Sequence, residues 1–362
     1  MKKLRQSSYK FEADQVKKNP DYVGINFDQD LIVDARSSWT KQQWQDYLKL
    51  RDNKIPSIGQ VEAQKILIDK KQIEEEKLKK FQDYLKSFFG KLQYVRINPA
   101  GEASPISPSQ AINIQSGNKW LVAIEPRFLE QLNILVKNGT DMIIVVPFYN
   151  HRQNHKTASD VPKTVLEKNQ YLAICETLIQ KIGGSIQLEV GNETNVTRST
   201  GEMFKDKLQF GSQADAKKYA QFYYEIASQL KEKYPLVRLS LAGVACFDPK
   251  YLQTALTEIQ YLVQHYNVDI KLVDSISFHP YREEPEKGSV EVRNGNFCTN
   301  KLDYKAQMDK MLEIGSDFSV DVNIGEINFS LKDPDRFSKL EKALQLTANK
   351  MRSYIYPGVN VE

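Results

Sequence analysis

Apolar residues follow two rhythms along this chain. Short unbroken runs of β-branched residues and leucine alternate with longer stretches in which apolar positions recur every three or four residues. The first pattern is that of a strand covered on both faces, and the second is one face of an amphipathic helix. Seven strands are predicted within residues 22–27, 92–97, 142–147, 186–190, 237–243, 273–279 and 320–327, with an eighth at 354–356. Between them the helical period runs over about 60–89, from 126 to the Asn138-Gly139 stop, and over 161–182, 213–233, 249–266, 303–314 and 334–351. Gly90, Gly183-Gly184 and Gly315 stand where helices are expected to end. A Ser/Pro-rich loop (104–109) and a small hairpin precede the second of these helices. The polar, Lys-rich residues 1–20 read as an N-terminal arm or cap, and 28–59, with Trp39, Trp44 and Pro56, fit neither period.

Strands that read as continuous apolar runs and alternate with helices imply a parallel sheet with helices on its faces. Seven or eight such units in one chain of 362 residues predict an α/β protein. Its fold class would be a (β/α)8 TIM barrel over 21–362, with an incomplete eighth βα unit. Neither a Gly-x-Gly-x-x-Gly after an early strand nor a Gly-Lys-Ser/Thr loop occurs, which weighs against a nucleotide-binding sheet.

Charge and cysteine content narrow the partners. Fifty basic and 46 acidic residues leave a net charge of +4, too near neutral to point to nucleic acid or an anionic membrane. Cys175, Cys246 and Cys298 are far apart and odd in number, so neither a disulfide framework nor a zinc motif is expected. No apolar run reaches the roughly 18 residues of a membrane span. The start, Met-Lys-Lys-Leu-Arg-Gln-Ser-Ser, lacks a signal peptide's apolar core, so the expectation is cytoplasmic; secretion would need a leader outside this sequence.

In a barrel of this kind chemistry sits at the C-terminal strand ends. The polar residues there are Arg96, Asn98, Tyr149, Asn150, Asn192, Glu193, His279, Tyr281 and Glu326. A single strand-end Glu is ordinarily solvated or salt-bridged. Glu193 and Glu326 stand out because each follows a β-rich run broken by a glycine, and because hydrolysis of a glycosidic bond needs two carboxyls in different protonation states. Loops 282–300 and 195–211 leave the same rim, where they can shape substrate choice.

The Gly-Asn-Glu at 191–193, the Phe-His-Pro-Tyr at 278–281 and the Gly-Glu at 325–326 together resemble the clan A glycoside hydrolases. That resemblance implies an O-glycosyl hydrolase acting on a carbohydrate substrate with retention of configuration and no cofactor. It implies Glu193 as acid/base and Glu326 as nucleophile, Asn192 on the sugar 2-hydroxyl, Tyr281 or His279 hydrogen-bonded to the nucleophile, and Arg96 beside it. From their strand-end position alone, Tyr149 and Asn150 would either contact sugar or cap a loop. Two departures are plain: Thr194 stands where the clan has proline, and no tryptophan lies near the eighth strand. The residues also admit a non-catalytic saccharide-binding or structural barrel. A third reading is a metal-dependent sugar isomerase or lyase using Glu193, His279 and Glu326, although these residues carry no ligand-spacing signature.

Overall fold

The computed structural model of the chain describes residues 2–27, 60–88, 90–99, 106–110, 120–146, 148, 161–183, 186–198, 208–210, 212–245, 247–280, 304–327 and 334–355. Eight parallel strands carry it: β1 Val23–Phe27, β2 Tyr94–Ile97, β3 Asp141–Val146, β4 Ile186–Val190, β5 Arg238–Leu241, β6 Ser275–His279, β7 Asp321–Ile327 and β8 Arg352–Ile355. Neighbours in sequence are neighbours in the sheet, β8 pairs with β1, and β5 meets β6 at Ser240 and Ser275. The sheet therefore closes on itself. Around it lie α1 Lys2–Lys18, α2 Gln60–Lys86, α3 Pro126–Lys137, α4 Val165–Ile182, α5 Gln213–Lys233, α6 Pro249–His265, α7 Tyr304–Asp317 and α8 Arg336–Thr347. This is the (β/α)8 barrel that the two rhythms predict.

The main core lies between sheet and helices. Ile25, Val95, Ile144, Leu188, Leu239, Ile276 and Ile324 of the strands pack with Phe128, Leu132, Ile174, Leu178, Ile226 and Leu256 of the helices. Full burial of each such side chain contributes about 1.5–3 kcal/mol. The alternate strand positions are unexpectedly polar: Asn26, Arg96, Gln187, Glu189, Ser240, Ser275, Ser277 and Asn323 are all buried. Barrel interiors are usually filled by branched apolar residues. Several of these polar side chains are tied by hydrogen bonds, such as Gln187 Nε2 donating to Ser275 Oγ and Ser275 Oγ to Ser240 Oγ at 2.9 Å.

Two helix starts are fixed by capping boxes. Thr164 and Glu167 form a reciprocal capping box ahead of α4, and Ser212 and Asp215 form one ahead of α5. Two details depart from the sequence reading. Part of the expected loop 104–109 is strand: Ile106–Gln110 pairs antiparallel with Trp120–Ile124. Gly315 does not stop α7, which runs on to Asp317; a Cβ there would collide with Val320 O and the Val322 side chain, so the glycine serves helix–strand contact. The segment expected to form an N-terminal arm or cap is helix α1 over Lys2–Lys18, lying against both α2 and α8. Tyr84 OH donates to Glu12 Oε2 at 2.7 Å, and Phe11 stacks on Phe337 with centroids 4.6 Å apart.

Two strand irregularities prepare the site. β5 breaks at Ala242-Gly243 and resumes as Val244–Ala245 beside β6. β7 shifts register against β8 between Ile324 and Ile327.

Candidate active site

Strand ends bring five of the sequence-predicted residues into one cluster. Its base is Arg96, fully buried on β2. The guanidinium forks onto Glu189, Nε to Oε2 at 3.1 Å and Nη2 to Oε1 at 2.7 Å. Nη1 donates to Glu326 Oε1 at 2.7 Å, and Nη2 also to Asn192 Oδ1 at 3.0 Å. Burial works to lower the Arg96 pKa; the carboxylates of Glu189 and Glu326 outweigh it together and raise the pKa above its ordinary value. The cation is thus permanent, and it holds one oxygen of Glu326 and the amide of Asn192 at fixed points.

Glu326 reaches the interior because of the β7 irregularity. Strict alternation would turn its side chain away from the face used by Asn323 and Gly325. The register slip re-aims it, as bulges do near sites, and Asn26 Nδ2 donates to the carbonyl of Gly325 at 3.3 Å.

Glu193 arrives by a turn after β4. Gly191 has φ 90° and Glu193 itself φ 49°, a left-handed backbone that costs a non-glycine residue about 1–2 kcal/mol. The β5 break supplies the restraint: Gly243 O accepts from Glu193 N at 2.7 Å, while Gly243 N donates to Glu189 Oε1 at 2.9 Å. The Glu193 side chain is about one third exposed (32%), so it opens toward solvent.

His279 ends β6 between the two glutamates. Its Nδ1 lies 3.0 Å from Glu193 Oε1 and 3.8 Å from Glu326 Oε2. This ring nitrogen is thus within hydrogen-bond distance of Glu193. Two glycines make room for the ring. A Cβ at Gly243 would overlap His279 Nε2, and one at Gly325 would sit 2.9 Å from it and 3.2 Å from Arg96 Nε.

One oxygen of Glu193, one of Glu326 and one ring nitrogen of His279 lie within 4.8 Å of one another. The same three atoms could ligate a metal ion. The permanent cation of Arg96 against Glu326 opposes that use and favours a carboxyl pair. Sequence reasoning missed Glu189, although it lies four residues before Glu193; in a single sequence an inward carboxylate on a strand looks like a solvated one. Tyr149, Asn150 and Tyr281, like loop residues 199–207 and 281–300, lie outside the described residues. Cys175 is a buried free thiol, pushed above the ordinary thiol range by burial; Cys246 and Cys298 lie outside the described residues. Among the described residues no helix is long and apolar enough to cross a membrane.

No protein-family model and no curated protein sequence matches the chain. Solved structures do. A family 5 xyloglucanase from Paenibacillus pabuli, in complex with ligand, is similar with a TM-score of 0.50 at 13% identity, covering 94% of this chain and 92% of that one. A hyperthermostable endo-1,4-beta-D-mannanase from Thermotoga petrophila RKU-1 gives a TM-score of 0.45 at 13% identity over 73% and 79% of the two chains. A psychrophilic family 10 endo-beta-1,4-xylanase gives 0.47 at 11% identity over 76% and 82%. At 13% identity the likeness to the xyloglucanase is one of fold alone, the closed parallel barrel.

Proposed function

We propose that this protein is a retaining β-glycoside hydrolase, with Glu326 as nucleophile and Glu193 as acid/base. One observation carries the reading: an oxygen of Glu193 and an oxygen of Glu326 lie within 4.8 Å of each other at the strand ends, which supports a closely spaced carboxyl pair of the kind covalent retention uses. Their surroundings differ as the roles require. Arg96 sets a permanent positive charge against Glu326, whereas Glu193 has His279 and partial exposure. The barrel shared with the Paenibacillus pabuli xyloglucanase is consistent with action on a β-linked glycan.

In the first step a Glu326 oxygen bonds to the anomeric carbon as the bond to the leaving oxygen breaks, and that oxygen takes the Glu193 proton. In the second, water gives a proton to the Glu193 carboxylate and its oxygen displaces Glu326, freeing the sugar. Asn192, fixed by Arg96, lies beside the pair to meet the sugar hydroxyl next to the anomeric carbon.

Incubation with 2-fluoro β-glycosides is expected to leave a glycosyl adduct that mass spectrometry places on Glu326. Glu326→Ala is expected to remove turnover of every aryl β-glycoside that the protein cleaves. Glu193→Ala is expected to lose about 100- to 10,000-fold in kcat/KM on poor leaving groups and to keep most of it on dinitrophenyl glycosides. Normal turnover by Glu326→Ala would overturn the assignment. Activity that disappears with chelators and returns with a divalent ion would favour the metal-dependent reading, and saccharide binding without product release the non-catalytic one.

A further inference from the structure

The acid/base carboxyl sits on a backbone that its own residue type disfavours. Glu193 has φ 49°, and without restraint the turn would relax toward ordinary conformations and swing the carboxyl away. Its N-terminal side is tied by the bond from Glu193 N to Gly243 O. What ties the other side is a closed set of contacts that the catalytic cluster does not include.

Asn195, two residues on, is fully buried. Its Oδ1 accepts from Ala245 N at 2.8 Å, and its Nδ2 donates to Ala245 O at 3.1 Å and to Asp248 Oδ2 at 3.2 Å. The side-chain amide thus pairs with Ala245 as a neighbouring peptide would. The other oxygen of Asp248 accepts from Tyr251 N at 3.1 Å, capping α6. Tyr251 OH returns to the start of the circuit, donating to Thr194 O at 3.0 Å. Burial pushes the Tyr251 hydroxyl well above its ordinary pKa, so it remains a donor. Thr194, Tyr251, Asp248 and Asn195 therefore form one ring around the residue after Glu193, anchored on the first turn of a helix.

We propose that Asn195 is a positioning residue for Glu193, holding the left-handed turn that aims the acid/base carboxyl through its contacts with Ala245 and Asp248. The inference rests on the role proposed above for Glu193. Only an amide suits the position: it must accept from Ala245 N and donate to two oxygens at once. An aspartate there would set a second carboxylate against Asp248.

The test uses leaving-group dependence, which a loss of folding alone would not produce. For whichever aryl β-glycoside series the wild type cleaves, kcat/KM is measured with phenyl and dinitrophenyl leaving groups for wild type, Asn195→Ala, Tyr251→Phe and Glu193→Ala. Asn195→Ala is expected to lose about 100-fold on the phenyl glycoside, the effect of misplacing a catalytic group by about 1 Å, and less than about threefold on the dinitrophenyl glycoside. Tyr251→Phe, which deletes one hydroxyl, is expected to show the same split at about tenfold and carries the test should Asn195→Ala fail to fold. Equal losses on both substrates in Asn195→Ala and Tyr251→Phe, with the split retained in Glu193→Ala, would overturn the positioning role alone. No split in Glu193→Ala would overturn the acid/base assignment and this inference with it.

Discussion

The guanidinium of Arg96 faces two carboxylates, and only Glu326 has a reacting part in the proposed mechanism. Glu189 is what allows the cation to stay buried: removing one partner of a buried pair leaves an uncompensated charge and costs about 3–5 kcal/mol. Glu189→Gln is accordingly expected to lower unfolding free energy by about that much in denaturant titration; a loss below about 1 kcal/mol would mean that Glu326 and Asn192 suffice to hold Arg96. Gly243→Ala tests the packing around His279. The added methyl overlaps the ring, so the expected result is a fall in kcat with about 1–3 kcal/mol of destabilisation; unchanged kcat would show that the ring can shift without harm. At this scale the sequence exposes Glu193 and Glu326 because each sits just beyond a glycine at the end of an apolar run. It hides Glu189 because the partner that explains it, Arg96, is 93 positions away. His279 is visible as a candidate, but which glutamate it bonds depends on a side-chain direction that no local pattern encodes.

Helices are the elements most legible here, and their physical cause is local. α5 is expected at 213–233 and observed at Gln213–Lys233, since its apolar stripe and the Ser212/Asp215 box both act within a few residues. Asp215 offers a check by pH. Its pKa is lowered, first by the Ser212 hydroxyl, then by the Ser212 backbone N–H, with Lys218 aiding and slight burial opposing. A depressed folded-state value means that the carboxylate stabilises the protein above the ordinary Asp pKa of about 4. That contribution disappears as pH falls through the lower folded value. Asp215→Ala is therefore expected to cost about 0.5–1 kcal/mol at neutral pH, discounted for exposure, and less once the carboxyl is protonated. Parallel unfolding curves for the two proteins at pH 7 and near pH 3 measure this difference; a gap that did not shrink in acid would refute the charge-dependent cap. The elements that sequence reading defines least are those whose irregularity depends on contacts elsewhere. The β5 break at Ala242-Gly243 turns main-chain groups toward Tyr219, Glu189 and Glu193. The β7 slip has no glycine or proline signature beyond Gly325.

Closure of the barrel is a property of the whole chain, and α1 shares in it. The strands join β8 to β1, which leaves a place in the outer ring between α8 and α2, beside β1. The N-terminal helix fills that place with Ala13 and Val16 buried in the common core. Its outer contacts, such as Lys18 Nζ to Glu341 Oε1 at 3.1 Å, are exposed and contribute little. Composition reads this segment as an arm or cap, because its many lysines dominate a single-sequence view while its few apolar positions need a partner surface to gain meaning. If α1 completes the ring, its removal uncovers apolar surface of α2, α8 and β1 at once. Deleting residues 1–18 is expected to lower Tm by far more than Val16→Ala, which should cost about 2 kcal/mol for two buried carbons and the cavity they leave, and to increase binding of a hydrophobic dye. A deletion variant that kept the wild-type transition and stayed dark with the dye would show instead that the barrel seals between β8 and β1 without help, and that α1 is carried by the fold rather than part of what holds it closed.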